Sequence, residues 1–291
     1  MRGPVAWWRD PWRKPRILLA VTLCYLLWSL LPVLVAVLFS FNAGRSRTTW
    51  QGFSMRWYYG DPLRSVWHDA SLHTALTHTL WLGVLATAVT VPLGVLLALG
   101  LDRWRGRIPS GANLTVIISF VLPEILIAVS LLFVATVLST PLQLGTSGQV
   151  MALVTYQLSY PVVIVRSRLL TIGRDYEEAA IDLGASPLGA VRRVLLKMLL
   201  PAIFASAVLV FADVIDDFII VRYLSGDSST EPVSVKVYNT ARAAPTPALN
   251  ALTTLLLLAS LLAVVLGFVA YRWFTRGERG GRGLDVFAGE A

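Results

Sequence analysis

Residues 175–201, DYEEAAIDLGASPLGAVRRVLLKMLLP, decide how this chain is read. The segment is charged and well punctuated, and it interrupts a sequence that is otherwise apolar in long blocks. Asp175 and Glu178 have the spacing of a capping box, in which the first side chain accepts from the third backbone N–H and the second reaches back to the cap's own N–H. Gly184 suits the left-handed position that ends a helix. Ser186 and Pro187 suit the N-cap and first position of the next one. The spacing therefore predicts two helices joined by a turn of about two residues. Such a hairpin is either a solvated surface feature, with Glu178 as a cap and Ala179 and Ala180 as helix formers, or a docking element for a partner.

Working outward, 56% of the 291 residues are hydrophobic and 14% are charged, and the mean hydropathy is +0.66. A soluble domain could not carry these blocks as surface, so the chain reads as an integral membrane protein. Its one cysteine, Cys24, lies in the first apolar block, which excludes a disulfide framework and a cysteine metal cluster. Ile17 to Phe39 is long enough to cross a hydrocarbon core of ~30 Å and longer than a signal-peptide core, and no A-x-A site follows it, so it reads as a retained span. Further spans are expected at Thr77 to Leu101, Asn113 to Leu138, Gln149 to Val165, Pro201 to Tyr223 and Asn250 to Phe274. The expected organisation is a basic tail (1–16), a six-helix membrane domain (17–274) and a C-terminal tail (275–291). With the N-terminus inside, eighteen Lys and Arg flank the cytoplasmic side and six the external side. This bias places both tails and the loop 166–200 in the cytoplasm. The same flanks account for a pI near 10.0, so no nucleic-acid partner is needed to explain it.

The first external segment, residues 42–76, mixes Trp50, Phe53, Trp57, Tyr58, Tyr59 and Trp67 with arginines. It suits either an amphipathic stretch on the outer leaflet or a docking surface for an external protein. His68, His73 and His78 recur every five residues, which does not stack them on one helical face, so no metal site is expected. A G-x-x-x-x-G-K-[ST] phosphate loop, a nucleophile elbow and an HExxH motif are all absent from the sequence. The chain is therefore not expected to be an enzyme on its own.

Carboxylates inside the spans are the remaining signal, because a charge at the bilayer centre costs at least ~2.5 kcal/mol. Glu124 follows Pro123, which withholds a backbone donor and loosens the helix. Asp213, Asp216 and Asp217 stand at i, i+3 and i+4 and are expected to share one helical face in the outer half of the fifth span. Like charges on one face need a counter-charge or water, and a cationic substrate would supply it; bonds to a neighbouring helix or partner subunit would serve as well. A proton relay in a secondary transporter would also use such a face, but would leave the cytoplasmic hairpin without a purpose.

Glu178-Ala179-Ala180, Gly184-Ala185-Ser186 and Pro201 resemble the EAA loop of ABC-importer permeases. Where that family has Leu-Pro, this chain has Leu196-Lys197, so the second helix is expected to run uninterrupted to Pro201. Ser40-Phe41-Asn42, Trp50-Gln51-Gly52-Phe53, Trp57-Tyr58, Pro123, Ser130-Leu131-Leu132, Asp216-Asp217, Val237-Tyr238 and the PALNAL of Pro247 to Leu252 extend the likeness from about Ile17 to Arg276. Together they resemble the PotC-type permeases of spermidine/putrescine importers. The resemblance implies an all-α, six-span type I importer permease with a cytoplasmic coupling-helix hairpin, in a bacterial inner membrane. It implies coupling to an ATPase through Glu178, Ala179, Ala180, Asp182, Gly184, Ala185 and Ser186, and a polyamine pathway along Glu124, Asp213, Asp216 and Asp217. The implied partners are a second, PotB-type permease, a PotA-type ATPase dimer holding the ATP and Mg, and a PotD-type external binding protein. This chain would hold no cofactor. Related permeases carry iron, sulfate or phosphonate, and these remain the alternative substrates.

Overall fold

The computed structural model describes residues 16–46, 48–104, 107–137, 143–243 and 246–275, so most of the basic tail, Arg105 and the C-terminal tail lie outside the described residues. The chain forms helices α1 (Arg16–Ser40), α2 (Ala70–Arg103), α3 (Arg107–Val121), α4 (Glu124–Val137), α5 (Thr146–Gln157) and α6 (Ser159–Ile172). These are followed by α7 (Asp175–Asp182), α8 (Pro187–Ala190), α9 (Leu196–Asp216), α10 (Ile219–Leu224), α11 (Val233–Ala243) and α12 (Pro247–Thr275). Among the described residues, five continuous stretches are long and apolar enough to cross a bilayer: Ile17–Ser40, Ala70–Arg103, Thr146–Ile172, Pro187–Asp216 and Pro247–Trp273. A sixth is broken, with Gly111–Val121 and Glu124–Val137 meeting at 106°. Counting the broken pair once gives the six spans expected.

The span boundaries differ from the sequence reading where polar residues are helical. Asp69 accepts from Ser71 N at 2.9 Å and Leu72 N at 3.2 Å, which starts α2 seven residues before Thr77. At the other side, α6 runs on to Ile172, so the segment between long helices is 173–186 and not the whole of 166–200. The fifth span begins at Pro187 and passes through a π turn at Val191–Leu195; it continues beyond Pro201 and stops at Asp216, short of Tyr223. Pro201 sits inside α9 and leaves the Lys197 carbonyl without its helical donor.

The core is the packing of α2, α6 and α9, with Leu82, Ala86, Val95, Val162, Val165, Leu199 and Val210 buried between them. Glycines allow the close approach. A Cβ on Gly94 would sit 2.4 Å from Pro161 Cγ, and one on Gly83 would sit 2.6 Å from Ile215 Cγ2. In a bilayer, where lipid tails are as apolar as leucine, such small-residue contacts are what hold helices together. Helix α1 lies along α12 with its most apolar window entirely unburied in the isolated subunit.

Residues 42–69 do not lie flat as an outer-leaflet helix. They fold into a cap over the ends of α2, α11 and α12, built on the buried Trp57 with Val66, Leu72, Ala75, Val233, Leu249 and Leu252. Buried Asn42 fixes it: Nδ2 donates to Ser46 O and Thr49 O, Oδ1 accepts from Gln51 N, and its own carbonyl accepts from Trp57 Nε1 at 2.6 Å. A polar side chain with every bond made can be buried, and Trp57 packs inward with Tyr58 half-buried beside it, while Trp50, Phe53, Tyr59 and Trp67 stay exposed on the cap.

Candidate functional site

Two polar regions stand out from the apolar bundle. The first is the hairpin. Gly173 and Gly184, with φ of 72° and 91°, mark its two bends, in the left-handed region where a side chain is strained. At the second bend Ala185 N donates to Ala180 O and Gly184 N to Ile181 O, the paired bonds of a Schellman ending. Ser186 then caps α8, accepting from Gly189 N at 3.1 Å, with Pro187 in the first turn. The capping box expected at the other end is not formed. The backbone of Arg174 is already near-helical, so Asp175 is the first helical residue and its side chain cannot act as the N-cap. Anchoring comes from elsewhere. Arg103 at the end of α2 pairs with Glu177, and Arg174 donates to Asp102 O at 3.2 Å.

Within α7 no residue is buried. Glu178, Ala179 and Asp182 are exposed, as are Gly184 and Ser186, while Ala180 and Ala185 are half-buried. Leu183 is 90% exposed and Leu188 78%, and Tyr176 and Ile181 stand out beside them. Large apolar side chains presented on α7 and at the start of the following span form a surface suited to a protein partner.

The second region lies inside the bundle, where two helical runs are interrupted beside a third. Pro123 separates α3 from α4, and Asp217 and Phe218 separate α9 from α10, whereas between α5 and α6 Leu158 keeps helical angles and its bond to Val154 O, so that span runs on with one bond missing at Pro161. Broken helices at membrane depth free backbone groups and are tolerated where they line a cavity or are buried in protein. Glu124 opens α4, where the helix dipole favours a carboxylate. Asp217 does not continue the helical face of Asp213 and Asp216: its ψ of 134° takes it out of α9, and Oδ1 accepts from Val221 N at 3.2 Å at the start of α10. The break redistributes the three aspartates. Asp217 is buried beside Glu124, whereas Asp213 and Asp216 are exposed and line an open groove of about 540 Å³ between α9, α11 and α12, together with Ser234, Thr253 and Ser260.

Asp213 links the two. It accepts from Gln157 Nε2, and both it and Glu124 lie within electrostatic reach of the Tyr156 and Tyr160 hydroxyls. Phe120, from the far side of the Pro123 break, packs edge-on against Tyr160 with centroids 5.4 Å apart. Sequence reasoning missed Tyr156, Gln157 and Tyr160. The signal available was Pro161, which has no N–H for the carbonyl four residues earlier, that of Gln157. The three histidines are apart: His68 Nδ1 pairs with Ser65 Oγ, His73 packs on Trp67, and His78 Nε2 bonds Gln149 Oε1 at 2.8 Å.

A six-span helical subunit with carboxylates at converging helix breaks and an exposed helical hairpin outside the spans is a membrane permease of the importer class. The chain belongs to the family of binding-protein-dependent transport system inner membrane components, which matches residues 90–280. It is 33% identical over 276 residues to the putrescine transport system permease protein PotI of Escherichia coli K12, covering 93% of each chain. It is also 33% identical over 253 residues to the spermidine/putrescine transport system permease protein PotC of the same strain, covering 86% of this chain and 92% of that one. Its fold matches that of a bacterial ABC transporter involved in the import of the acidic polysaccharide alginate, with a TM-score of 0.68 at 14% identity over 92% of this chain and 98% of the other. The inward-facing MetNI methionine ABC transporter matches with a TM-score of 0.54 at 23% identity, over 70% and 94% of the two chains. The chain is thus a multi-pass inner-membrane permease, a non-enzymatic subunit that works with an ATPase and a binding protein.

Proposed function

We propose that this permease carries polyamines, spermidine or putrescine, inward. The observation that carries the reading is the placement of Glu124, Asp213 and Asp217 where the α3–α4 and α9–α10 breaks lie beside α5, with Asp213 and Asp216 lining the adjoining groove. Carboxylates clustered around the buried Asp217 repel one another and are held at a cost that a passing di- or tricationic amine would offset. The likeness to the putrescine and spermidine permeases supports the same substrate class. The contact must be weak, since a site that held the cation tightly would slow its release. Affinity then resides in the binding protein.

In this reading both termini and the hairpin are cytoplasmic, as the distribution of Lys and Arg argues. Glu178, Ala179, Ala180, Asp182, Gly184, Ala185 and Ser186 form the surface that seats on the ATPase, with Leu183 and Leu188 as apolar anchors. The Arg103–Glu177 pair ties that surface to α2, so a displacement of α7 reaches the core of the bundle directly. A PotB-type permease, a PotA-type ATPase dimer that binds ATP and Mg, and a PotD-type binding protein complete the assembly.

The test is ATPase activity of the assembled complex in lipid, with binding protein, across putrescine, spermidine, an anion and an amino acid. Stimulation confined to the polyamines is expected. Stimulation by the anion or the amino acid alone would overturn the substrate and leave the acidic cluster as a packing feature.

A further inference from the structure

Gln157 has no role in a purely ionic pathway, yet it is wholly buried at the end of α5, beside the acidic cluster. Its Nε2 donates to Asp213, which fixes the amide: turned over, it would set its oxygen against a carboxylate. Oε1, on the same amide, is thus held beside the cluster as an acceptor. Among the described residues no donor reaches it, and none reaches Glu124 Oε1. Buried polar atoms in native proteins are paired, so two orphaned acceptors in one cluster ask for one kind of group. That group must bring donors. A primary ammonium carries three N–H donors and no lone pair, whereas a hydroxyl or water would bring lone pairs of its own. The nearby rings of Tyr156 and Tyr160, the latter held by Phe120, offer the π surface on which such a cation also rests.

We infer that Gln157 is a specificity-determining residue of the pathway: its Oε1 and that of Glu124, walled by Tyr156 and Tyr160, form a station for one primary ammonium group, read by its N–H donors and not by charge alone. The station rests on the reading that the pathway carries polyamines. It adds a neutral acceptor to the carboxylates and predicts discrimination against amines of equal charge that have fewer N–H bonds.

The experiment uses the complete transporter with its binding protein in liposomes, and compares ATP-driven uptake of putrescine with that of N,N,N′,N′-tetramethylputrescine, which keeps both charges but has one N–H on each nitrogen. The variants are Gln157→Met, close in shape and without the acceptor, and Thr155→Ala as a control on the same helix. Because every preparation uses one binding protein, that protein's own preference cancels when the ratio of the two rates is compared between variants. Gln157→Met is expected to lower the putrescine-to-tetramethylputrescine ratio about tenfold, the size of one lost hydrogen bond to a charged donor, while Thr155→Ala leaves the ratio unchanged. A parallel fall of both rates, with the ratio preserved, would make Gln157 a packing residue and overturn the station. Loss of the partner permease from the purified Gln157→Met complex would also overturn it, because the missing donor would then belong to that subunit. If the unaltered complex moves neither diamine, the polyamine reading fails and the station fails with it.

Discussion

The contact between Gly94 of α2 and Pro161 of α6 gives the sharpest test of how the bundle holds its polar cluster. Replacing Gly94 with alanine would place a Cβ 2.4 Å from Pro161 Cγ and 2.8 Å from its Cβ. A proline ring cannot rotate aside, so α2 and α6 must separate by roughly 1 Å to restore ordinary carbon contacts. Overpacking of this kind costs about 1–3 kcal/mol, against a gain of about 0.5–1 kcal/mol from alanine replacing glycine in a helix. Gly100 lies in the same helix with nothing within 4 Å of its would-be Cβ, so Gly100→Ala takes the gain without the clash. Denaturant midpoints of the two variants and the unaltered complex, measured in the same lipid, should therefore bracket the parent. Gly100→Ala is expected at or above it and Gly94→Ala below. Pro161 follows Gln157 by one helical turn, so Gly94→Ala should also slow putrescine uptake at equal complex concentration. A Gly94→Ala midpoint equal to that of Gly100→Ala would show that the two helices are not in the contact described, and would remove the packing basis for the position of Gln157.

Two further outcomes follow from elements outside the spans. Gly184 is left-handed, and a β-branched residue there is strained by about 1–2 kcal/mol; Gly184→Val should reduce binding-protein-stimulated ATPase activity while the subunit still inserts, and full stimulation would contradict the hairpin's role. In the cap over α2, α11 and α12, Asp61 Oδ2 accepts from Arg56 Nε and Nη2 at 2.9 and 2.7 Å, and its Oδ1 from Leu63 N and Arg64 N, which hold its carboxyl below the ordinary value of 3.8. A depressed carboxyl stabilises the folded cap above its unfolded pKa and loses that contribution as pH falls through the folded one. Protease resistance of the cap should therefore hold at neutral pH and weaken only on acidification below about pH 4, and Asp61→Asn should remove this acid dependence; an unchanged acid profile in that variant would refute it.

The class of this protein was legible because its signals are local. Span count follows from apolar length against the thickness of a bilayer, and the ends of the hairpin follow from what Gly184 and Ser186-Pro187 can do to a backbone. Both needed only neighbours in sequence. The capping box failed for the same reason that it was proposed: the residue pattern is right, but the chain leaves Gly173 already turning, and the cap position falls one residue earlier. The aromatic external segment was ambiguous in sequence, because whether Trp57 faces lipid or a core depends on α11 and α12, more than 170 residues away. The site shows the same division most clearly. Glu124, Asp213, Asp216 and Asp217 could be named from the cost of charge in a membrane, but which of them are buried together could not. That was decided where α9 breaks at Asp217, turning one carboxylate toward Glu124 and leaving two on the groove. Tyr156 and Gln157 are unremarkable in an apolar stretch, and they become part of a site only because breaks in two other helical runs lie beside them. Composition and period determine how a segment crosses the membrane; which polar atoms end up facing one another is a matter of packing between segments distant in the chain.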